Sequence, residues 1–123
     1  MLISPATPQA FQPAIDSSRI VDTVNYQVYS EKMIGGFRHK GLEEIHLTGK
    51  TRRISSGYIG KCVRILQLLE VAAQPEDMNI AGFRFHGLQG SPQRWSVRVT
   101  GNYRITFGWS GEHALEVDFE DYH

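Results

Sequence analysis

A period-two alternation of apolar and polar residues runs from Phe83 to the end of the chain. Such alternation is typical of strands that bury one face, because successive side chains of a strand point to opposite sides. Glycine and asparagine tolerate the positive φ of tight hairpins, and Gly101-Asn102 and Ser110-Gly111 separate the later runs. The pattern predicts an antiparallel meander of four strands. The apolar sets are Phe83 and Phe85; Trp95, Val97 and Val99; Tyr103, Ile105, Phe107 and Trp109; and His113, Leu115, Val117 and Phe119.

The residues of the opposite parity are predicted to share the other face of this sheet. They are Arg84, His86, Ser96, Arg98, Arg104 and Thr106. Three guanidinium groups and one imidazole on one polar surface are typical of a site that binds anions or phosphodiesters. The alternative is that these arginines are ordinary exposed strand residues and that His86 caps a loop. Trp95, Phe107 and Trp109 have the parity of the core, so we expect them to pack inside rather than stack on bases.

The charge balance favours a local basic patch. The chain has 123 residues and a formal net charge of zero. From Lys50 to Arg104, however, nine basic residues stand against three acidic ones, and from Glu112 to Asp121 there are five acidic residues and no basic one. This asymmetry argues against a uniformly basic nucleic-acid binder.

The cysteine content and the hydropathy point to a soluble, cytoplasmic protein. Cys62 is the sole cysteine, so an intrachain disulfide is excluded, and its apolar surroundings predict a small core residue. No run approaches the roughly 18 apolar residues that span a bilayer, and the N-terminus lacks a signal-peptide pattern. We therefore expect no membrane association.

The segments before the sheet predict two helices, and hence an α+β fold with both helices on one face of the sheet. Residues 41–47 predict a short helix closed near Gly49, and 55–73 a longer one that begins at Ser55-Ser56 and stops before Pro75. Its predicted buried stripe is Ile59, Val63, Leu66, Leu69 and Ala73, widened by Leu68 and Val71. Residues 33–37 suit a first strand, and 74–82 a connecting loop. Residues 1–32, with three prolines in the first thirteen positions, predict a poorly ordered extension before a domain at 33–123.

Several co-linear segments resemble the HigB-type toxins of the RelE superfamily, also called killer-suppression or plasmid-maintenance toxins. They are MIGGFRHKGLEEIHLTG from Met33, AAQPEDMNIAGFRFHGLQG from Ala72, RWSVRVTGNYRITF from Arg94, and the terminal DFEDYH. The resemblance covers Met33 to His123 in order, and the combination is more specific than any one segment. The first 32 residues have no counterpart in the family pattern.

The resemblance implies a compact RelE-like fold and a ribosome-dependent endoribonuclease that cuts mRNA and inhibits translation. It also implies a type II toxin–antitoxin pair, in which a helix-turn-helix, HigA-like antitoxin neutralises the toxin. Operator DNA would then be bound only through the antitoxin, and the toxin's own partners would be the ribosome and mRNA. No cofactor and no metal are implied.

The family's site residues can be carried over where its motifs match. The loop histidine corresponds to His86 in HGLQG, the strand arginine to Arg104 in NYRITF, and the terminal group to Asp121, Tyr122 and His123. The family's loop lysine is replaced by Gln89, and the basic residue that some members carry before the hairpin turn is Thr100 here. We expect Arg84, Gln89 and Arg98 to contact RNA, and the two departures predict weakened catalysis.

Metal-free RNA cleavage needs a base, an acid and cations around the phosphorane. Histidine titrates near neutral pH, and arginine matches phosphate oxygens with a fixed fork of donors. His86 and His123 are therefore the acid–base candidates and Arg104 the phosphate clamp. Tyr122 would stack on a base or donate to the phosphate, and Asp121 would orient a neighbouring side chain.

Two competing interpretations remain at this stage. The terminal Asp-Tyr-His could be a frayed chain end, and the whole domain could be a catalytically weakened or inactive module that binds RNA or an antitoxin. A metal hydrolase is poorly supported, because the five histidines show no H-x-x-x-H or H-E-x-x-H spacing.

Overall fold

The computed structural model describes residues 33–121. The extension predicted for 1–32 lies outside the described residues, as do Tyr122 and His123. Helices come first and strands second, as predicted for an α+β fold. The elements are α1 (Lys40–Thr48), α2 (Ser56–Val71), a 3-10 helix (Pro75–Met78), β1 (His86–Leu88), β2 (Arg94–Arg98), β3 (Tyr103–Ser110) and β4 (His113–Asp121).

The four strands form one antiparallel sheet in the order β1-β2-β3-β4. Each strand therefore pairs with the next one along the chain, and the predicted meander is confirmed. The turn between β3 and β4 lies at Gly111 and Glu112, one residue later than predicted, since Ser110 pairs with His113. Gly111 has a φ of 62°, which a residue without a β-carbon adopts at little cost.

Helix α1 has a defined cap at each end. At its start, the Nδ1 atom of His39 accepts hydrogen bonds from the backbone N–H groups of Gly41 (3.0 Å) and Leu42 (3.3 Å). At its end, Gly49 has a φ of 80° and donates its N–H to the carbonyl of Ile45 at 2.7 Å. The predicted helix and its terminal glycine are both confirmed.

Helix α2 begins at Ser56, as predicted, and ends at Val71, two residues before the predicted end. Its buried residues are Cys62, Ile65, Leu66 and Leu69, whereas Ile59 and Val63 are only half-buried. Val71, predicted to be buried, is 56% exposed. The buried side of α2 is therefore rotated about the helix axis relative to the predicted stripe. Apolar residues lie on several sides of this helix, and their spacing alone does not select the buried side.

The segments around the helices differ in part from the prediction. Residues 33–37 form no continuous strand: Ile34 and Phe37 make isolated parallel bridges to Ala114 and Val117 of β4. The connection 74–82 is more ordered than a simple loop. It contains the 3-10 helix, whose last residue, Met78, is fully buried.

The first predicted strand is shifted along the chain. Phe83 and Phe85 were expected to share a strand, but β1 begins only at His86. Arg84 has a φ of 49°, in the left-handed region, and this conformation interrupts the extended backbone. Phe83 is nevertheless a core residue, only 4% exposed.

A β-bulge in β4 breaks the predicted alternation of that strand. Thr106 pairs with Asp118 and Gly108 with Leu115, so Phe107 alone stands opposite two residues, Glu116 and Val117. Glu116 has a φ of 48°. Before the bulge the core residue is therefore Ala114, fully buried, and not His113 or Leu115 as the alternation predicted.

One hydrophobic core joins the two helices to one face of the sheet. The helical members include Leu42, Ile45, Ile65 and Leu69, and the strand members include Val97, Ile105, Phe107 and Val117. Trp95 and Trp109 pack against this cluster, so the expectation that the aromatic residues belong to the core is confirmed. Within the described range, neither helix has the length and apolar content needed to cross a bilayer.

Burial of Cys62 leads to a prediction about pH. The side chain is inaccessible to solvent, and desolvation raises the pKa of the Cys62 thiol from 9.0 to about 11. Because the unfolded thiol ionises at lower pH than the folded one, this contribution to stability is complete below pH 9 and is lost as the pH rises toward 11. Denaturant titrations should therefore show a steeper loss of unfolding free energy between these pH values for the parent than for Cys62→Ala. Rapid alkylation of the native thiol at pH 8 would contradict the burial.

Candidate active site

A cavity of about 500 Å³ opens on the sheet surface that carries Ser96 and Arg104. It gathers four of the residues predicted for the site from three separate parts of the sequence. Its size suits a nucleotide-sized ligand. The lining residues are Arg84, Phe85, His86, Ser96, Arg98, Thr100, Gly101, Tyr103 and Arg104.

Strand register explains why these residues meet. One cross-strand row runs from His86 to Ser96, Thr106 and Asp118, and a second runs from Arg98 to Arg104 and Glu120. Residues in such rows lie about 5 Å apart and project from the same face of the sheet. Ser96 and Thr106 are buried beneath the charged residues that surround them.

A backbone hydrogen bond defines the chemistry of His86. Its Nδ1 lies 3.0 Å from the carbonyl oxygen of Arg84. A carbonyl only accepts, so Nδ1 carries the proton and Nε2 of the neutral ring is left with a free lone pair. His86 is exposed. The side chain is thus held in the tautomer whose Nε2 can take up a proton from a ligand.

The same backbone segment is held in an unusual conformation. Arg84 adopts a left-handed φ of 49°, which costs a non-glycine residue on the order of 1 kcal/mol. The preceding Phe83 is buried, and its carbonyl accepts a 2.6 Å hydrogen bond from the backbone N–H of Arg98. The hydrogen bond at Phe83 holds the backbone before the turn, and the pairing of His86 with Ser96 holds it after the turn. They direct Arg84 and His86 to the same cavity.

Two arginines stand directly opposite each other across β2 and β3. Arg98 is exposed and Arg104 is half-buried, and their Cα atoms are register partners. Like charges in such a pair destabilise the sheet, by a few tenths to about 1 kcal/mol. An anion bound between them would remove this repulsion. The pair therefore gives the cavity a site suited to a phosphate.

Thr100 has a structural role in the same hairpin. Its Oγ1 accepts from the backbone N–H groups of Asn102 and Tyr103, both at 3.2 Å. The side chain lines the cavity but is occupied in closing the turn. It supplies no charge at the position where some members of the family that the sequence resembles carry a basic residue, and Arg98, at the end of β2, is the nearest cation on that strand.

The other residues predicted for the site either do not line the cavity or lie outside the described residues. Gln89 is exposed, follows the end of β1 and does not line the cavity. Asp121 is exposed at the end of β4, where it pairs with Tyr103, a cavity residue. Tyr122 and His123 follow it directly and lie outside the described residues.

Three further polar residues lie on the face of the sheet that carries the cavity, and the sequence analysis assigned none of them a function. They are Arg94, Thr106 and Glu120. Arg94 donates to the hydroxyl of Thr106, and Thr106 donates to Glu120. Burial, and next the charge of Arg38, lowers the pKa of the Arg94 guanidinium, while three carboxylates of β4 oppose that shift. Arg94 could have been found from its parity with Ser96 and Arg98. Glu120 could not, because its place depends on the register of β4 beyond the bulge.

The donor set of the described part of the chain does not suit a metal ion. Among residues 33–121, no three or more His, Cys, Asp or Glu side chains lie close enough to share a cation. In the cavity itself the neighbours of His86 are guanidinium groups, which repel cations.

Comparison with known proteins places this geometry in a family. A model of the HigB-like toxins, described as RelE-like toxins of type II toxin–antitoxin system HigB, matches residues 35–123. The endoribonuclease HigB of Proteus vulgaris is 32% identical over 92 residues, which cover 74% of this chain and 100% of that relative. The match includes the strands and the loop that build the cavity. The chain belongs to the HigB-like toxin family, the RelE-like toxins of type II toxin–antitoxin systems.

Proposed function

We propose that this toxin is an endoribonuclease that cleaves mRNA on the ribosome and thereby inhibits translation. Its Proteus vulgaris relative is named an endoribonuclease. The observation that carries the proposal is the placement of the free Nε2 of His86 in one cavity with Arg84, Arg98 and Arg104. A proton acceptor beside three cations is what phosphodiester cleavage by the neighbouring 2′-hydroxyl requires.

The chemistry needs two proton transfers and stabilisation of added negative charge. One group removes the proton of the 2′-hydroxyl, whose oxygen then attacks the phosphorus. A second group protonates the departing 5′-oxygen as the P–O5′ bond breaks, which leaves a 2′,3′-cyclic phosphate and a 5′-hydroxyl. We assign these two transfers to His86 and His123. Each positioned transfer contributes roughly 10²- to 10⁴-fold in rate.

The other predicted residues act on the phosphate and its neighbours. Arg104, assisted by Arg98, binds the phosphorane, because guanidinium groups stay charged and donate in pairs to phosphate oxygens. Arg84 binds an adjacent phosphate. Tyr122 stacks on a base or donates to the phosphate, and Asp121 orients a neighbouring side chain. Gln89, outside the cavity, contacts RNA beyond the cleaved bond.

Membership of this family implies a cognate antitoxin. We further propose that this antitoxin is a helix-turn-helix, HigA-like protein and that the toxin reaches operator DNA only through it. Because the proposed substrate is mRNA on the ribosome, we assign the protein to the cytoplasm.

Replacement of His86 tests the acid–base assignment. His86→Ala should lower the rate of mRNA cleavage in a reconstituted translation reaction by about 10²- to 10⁴-fold, with the thermal unfolding midpoint unchanged because the side chain is exposed. The matched control is His46→Gln, since His46 lies on α1 and packs against Phe37. Parental cleavage by His86→Ala would refute the assignment.

A test of toxicity distinguishes the endoribonuclease from an inactive module that only binds RNA or an antitoxin. Induced expression of the parent should arrest growth, and the double variant His86→Ala, His123→Ala should not. If both arrest growth equally, toxicity arises from binding rather than cleavage. Equal cleavage of the same mRNA with and without ribosomes would remove ribosome dependence from the proposal while leaving the nuclease.

The phosphate contacts predict a change in salt dependence. Each neutralisation, Arg98→Gln or Arg104→Gln, should weaken binding of a 2′-O-methyl oligoribonucleotide and reduce the slope of log K against log salt by about 0.7. The control is Arg64→Gln, which removes an exposed charge from α2. Fluorescence anisotropy at several salt concentrations measures both quantities. An unchanged slope in both cavity variants would exclude them as phosphate ligands.

A further inference from the structure

Ser96 brings a buried hydroxyl group to the cavity. The residue is only 2% exposed, yet it lines the cavity between the charged side chains. Among residues 33–121, no side chain or backbone group forms a hydrogen bond with this hydroxyl. We propose that Ser96 binds the ribose 2′-hydroxyl next to the cleaved phosphate and thereby selects RNA over DNA, an inference that rests on the proposed function.

The neighbours of Ser96 in the sheet have no proton to give it. Buried hydroxyl groups are usually hydrogen-bonded, because burial removes the bonds that water would supply. On β3 the register partner is Thr106, whose single proton goes to Glu120 and whose oxygen accepts from Arg94. On β1 the partner is His86, whose Nδ1 proton is held by a backbone carbonyl. The hydroxyl of Ser96 therefore remains available to a ligand in the cavity.

The position of Ser96 indicates which part of RNA it meets. Ser96 and His86 are register partners, so their β-carbons lie about 5 Å apart on the same face. Arg98 and Arg104 form the next row on this face, two residues further along β2. Two residues of a strand span about 7 Å. The proposed proton acceptor is thus directly beside Ser96, whereas the proposed phosphate site lies one row away.

The 2′-hydroxyl can bond to both members of this row, because it is a donor and an acceptor. When it donates its proton to Nε2 of His86, its oxygen keeps lone pairs that can accept. Ser96 can donate to that oxygen, since no acceptor in the described part of the chain takes its proton. The two contacts hold the 2′-oxygen beside the phosphate that the arginines bind. DNA lacks this oxygen and leaves the buried hydroxyl without its partner.

Two other roles for the hydroxyl make different predictions. A contact with a phosphate oxygen would strengthen binding of RNA and DNA equally, and a hydrogen bond within the fold would stabilise the protein without any ligand. Ser96→Ala removes the hydroxyl and little volume. The matched control is Ser110→Ala, which removes an exposed hydroxyl at the end of β3.

The first measurement is the affinity for two short oligonucleotides of one mixed sequence that differ only in the 2′-hydroxyl. Both contain uracil, so that no methyl group distinguishes them. The measurement uses His86→Gln, which should not cleave and whose side-chain amide keeps an acceptor near the position of Nε2. In this background Ser96→Ala should reduce the preference for the ribonucleotide by about 3- to 10-fold, as expected for one neutral hydrogen bond. Ser110→Ala should leave the preference unchanged.

An unchanged preference in Ser96→Ala would overturn the inference. If both oligonucleotides bind more weakly by the same factor, the hydroxyl contacts a phosphate. If neither affinity changes, the hydroxyl contacts no part of the nucleic acid.

Thermal unfolding separates a binding role from a structural one. Removal of a buried hydroxyl that has no partner in the fold should leave the unfolding midpoint of Ser96→Ala unchanged or raise it. A fall of about 4 °C or more would indicate a hydrogen bond that stabilises the fold, and it would overturn the inference.

Cleavage connects the contact to the proposed function. With His86 intact, Ser96→Ala should lower the maximal rate of mRNA cleavage in the reconstituted translation reaction by about 3- to 10-fold, and Ser110→Ala should not. Full activity in Ser96→Ala together with loss of activity in His86→Ala would retain the nuclease and reject the role of Ser96. If the parent does not cleave mRNA, the proposed function fails, and the preference for the ribonucleotide still decides whether Ser96 binds the 2′-hydroxyl.

Discussion

The burial of one sheet face against two helices is the constraint on which the rest of the molecule depends. Val97, Ile105 and Val117 leave water together with Leu42, Ile65 and Leu69 of the helices. Because strand side chains alternate, this burial assigns every neighbouring residue to the other face. The polar residues of the strands are then concentrated on one surface. The cavity is in this sense a consequence of the core.

Charge on the polar face is separated by strand. Arginines and His86 come from the β1 and β2 side and from the start of β3, whereas β4 contributes Glu116, Asp118 and Glu120. The chain as a whole has a net charge of zero, yet the cavity is strongly basic. The acidic edge disfavours phosphates over β4, so the basic side is the part of this face that suits a phosphate. A neutral protein can therefore offer a local phosphate site without attracting nucleic acid over its whole surface.

Backbone irregularities contribute as much to the site as the regular strands do. The left-handed Arg84 delays the start of β1 to His86, and its carbonyl fixes the tautomer of His86. The bulge at Glu116 offers a carbonyl to Arg94 and resets the register of the last residues of β4. Both residues have positive φ without being glycine. Such strained positions are often found at functional sites, where surrounding packing maintains them.

The sequence by itself determined the fold class, the meander and the polar face, since these follow from local periodicity and turn residues. It placed Arg98 and Arg104 on this face because their strands are regular between Trp95 and Phe107. The tertiary structure alone decided which side of α2 is buried, where β1 begins and that Ala114 replaces Leu115 in the core. It also brought Glu120 opposite Arg104 and laid Arg94 over Gly108. These features depend on strand register, on a bulge and on packing between distant segments, and none of them is encoded in the spacing of residues within one element.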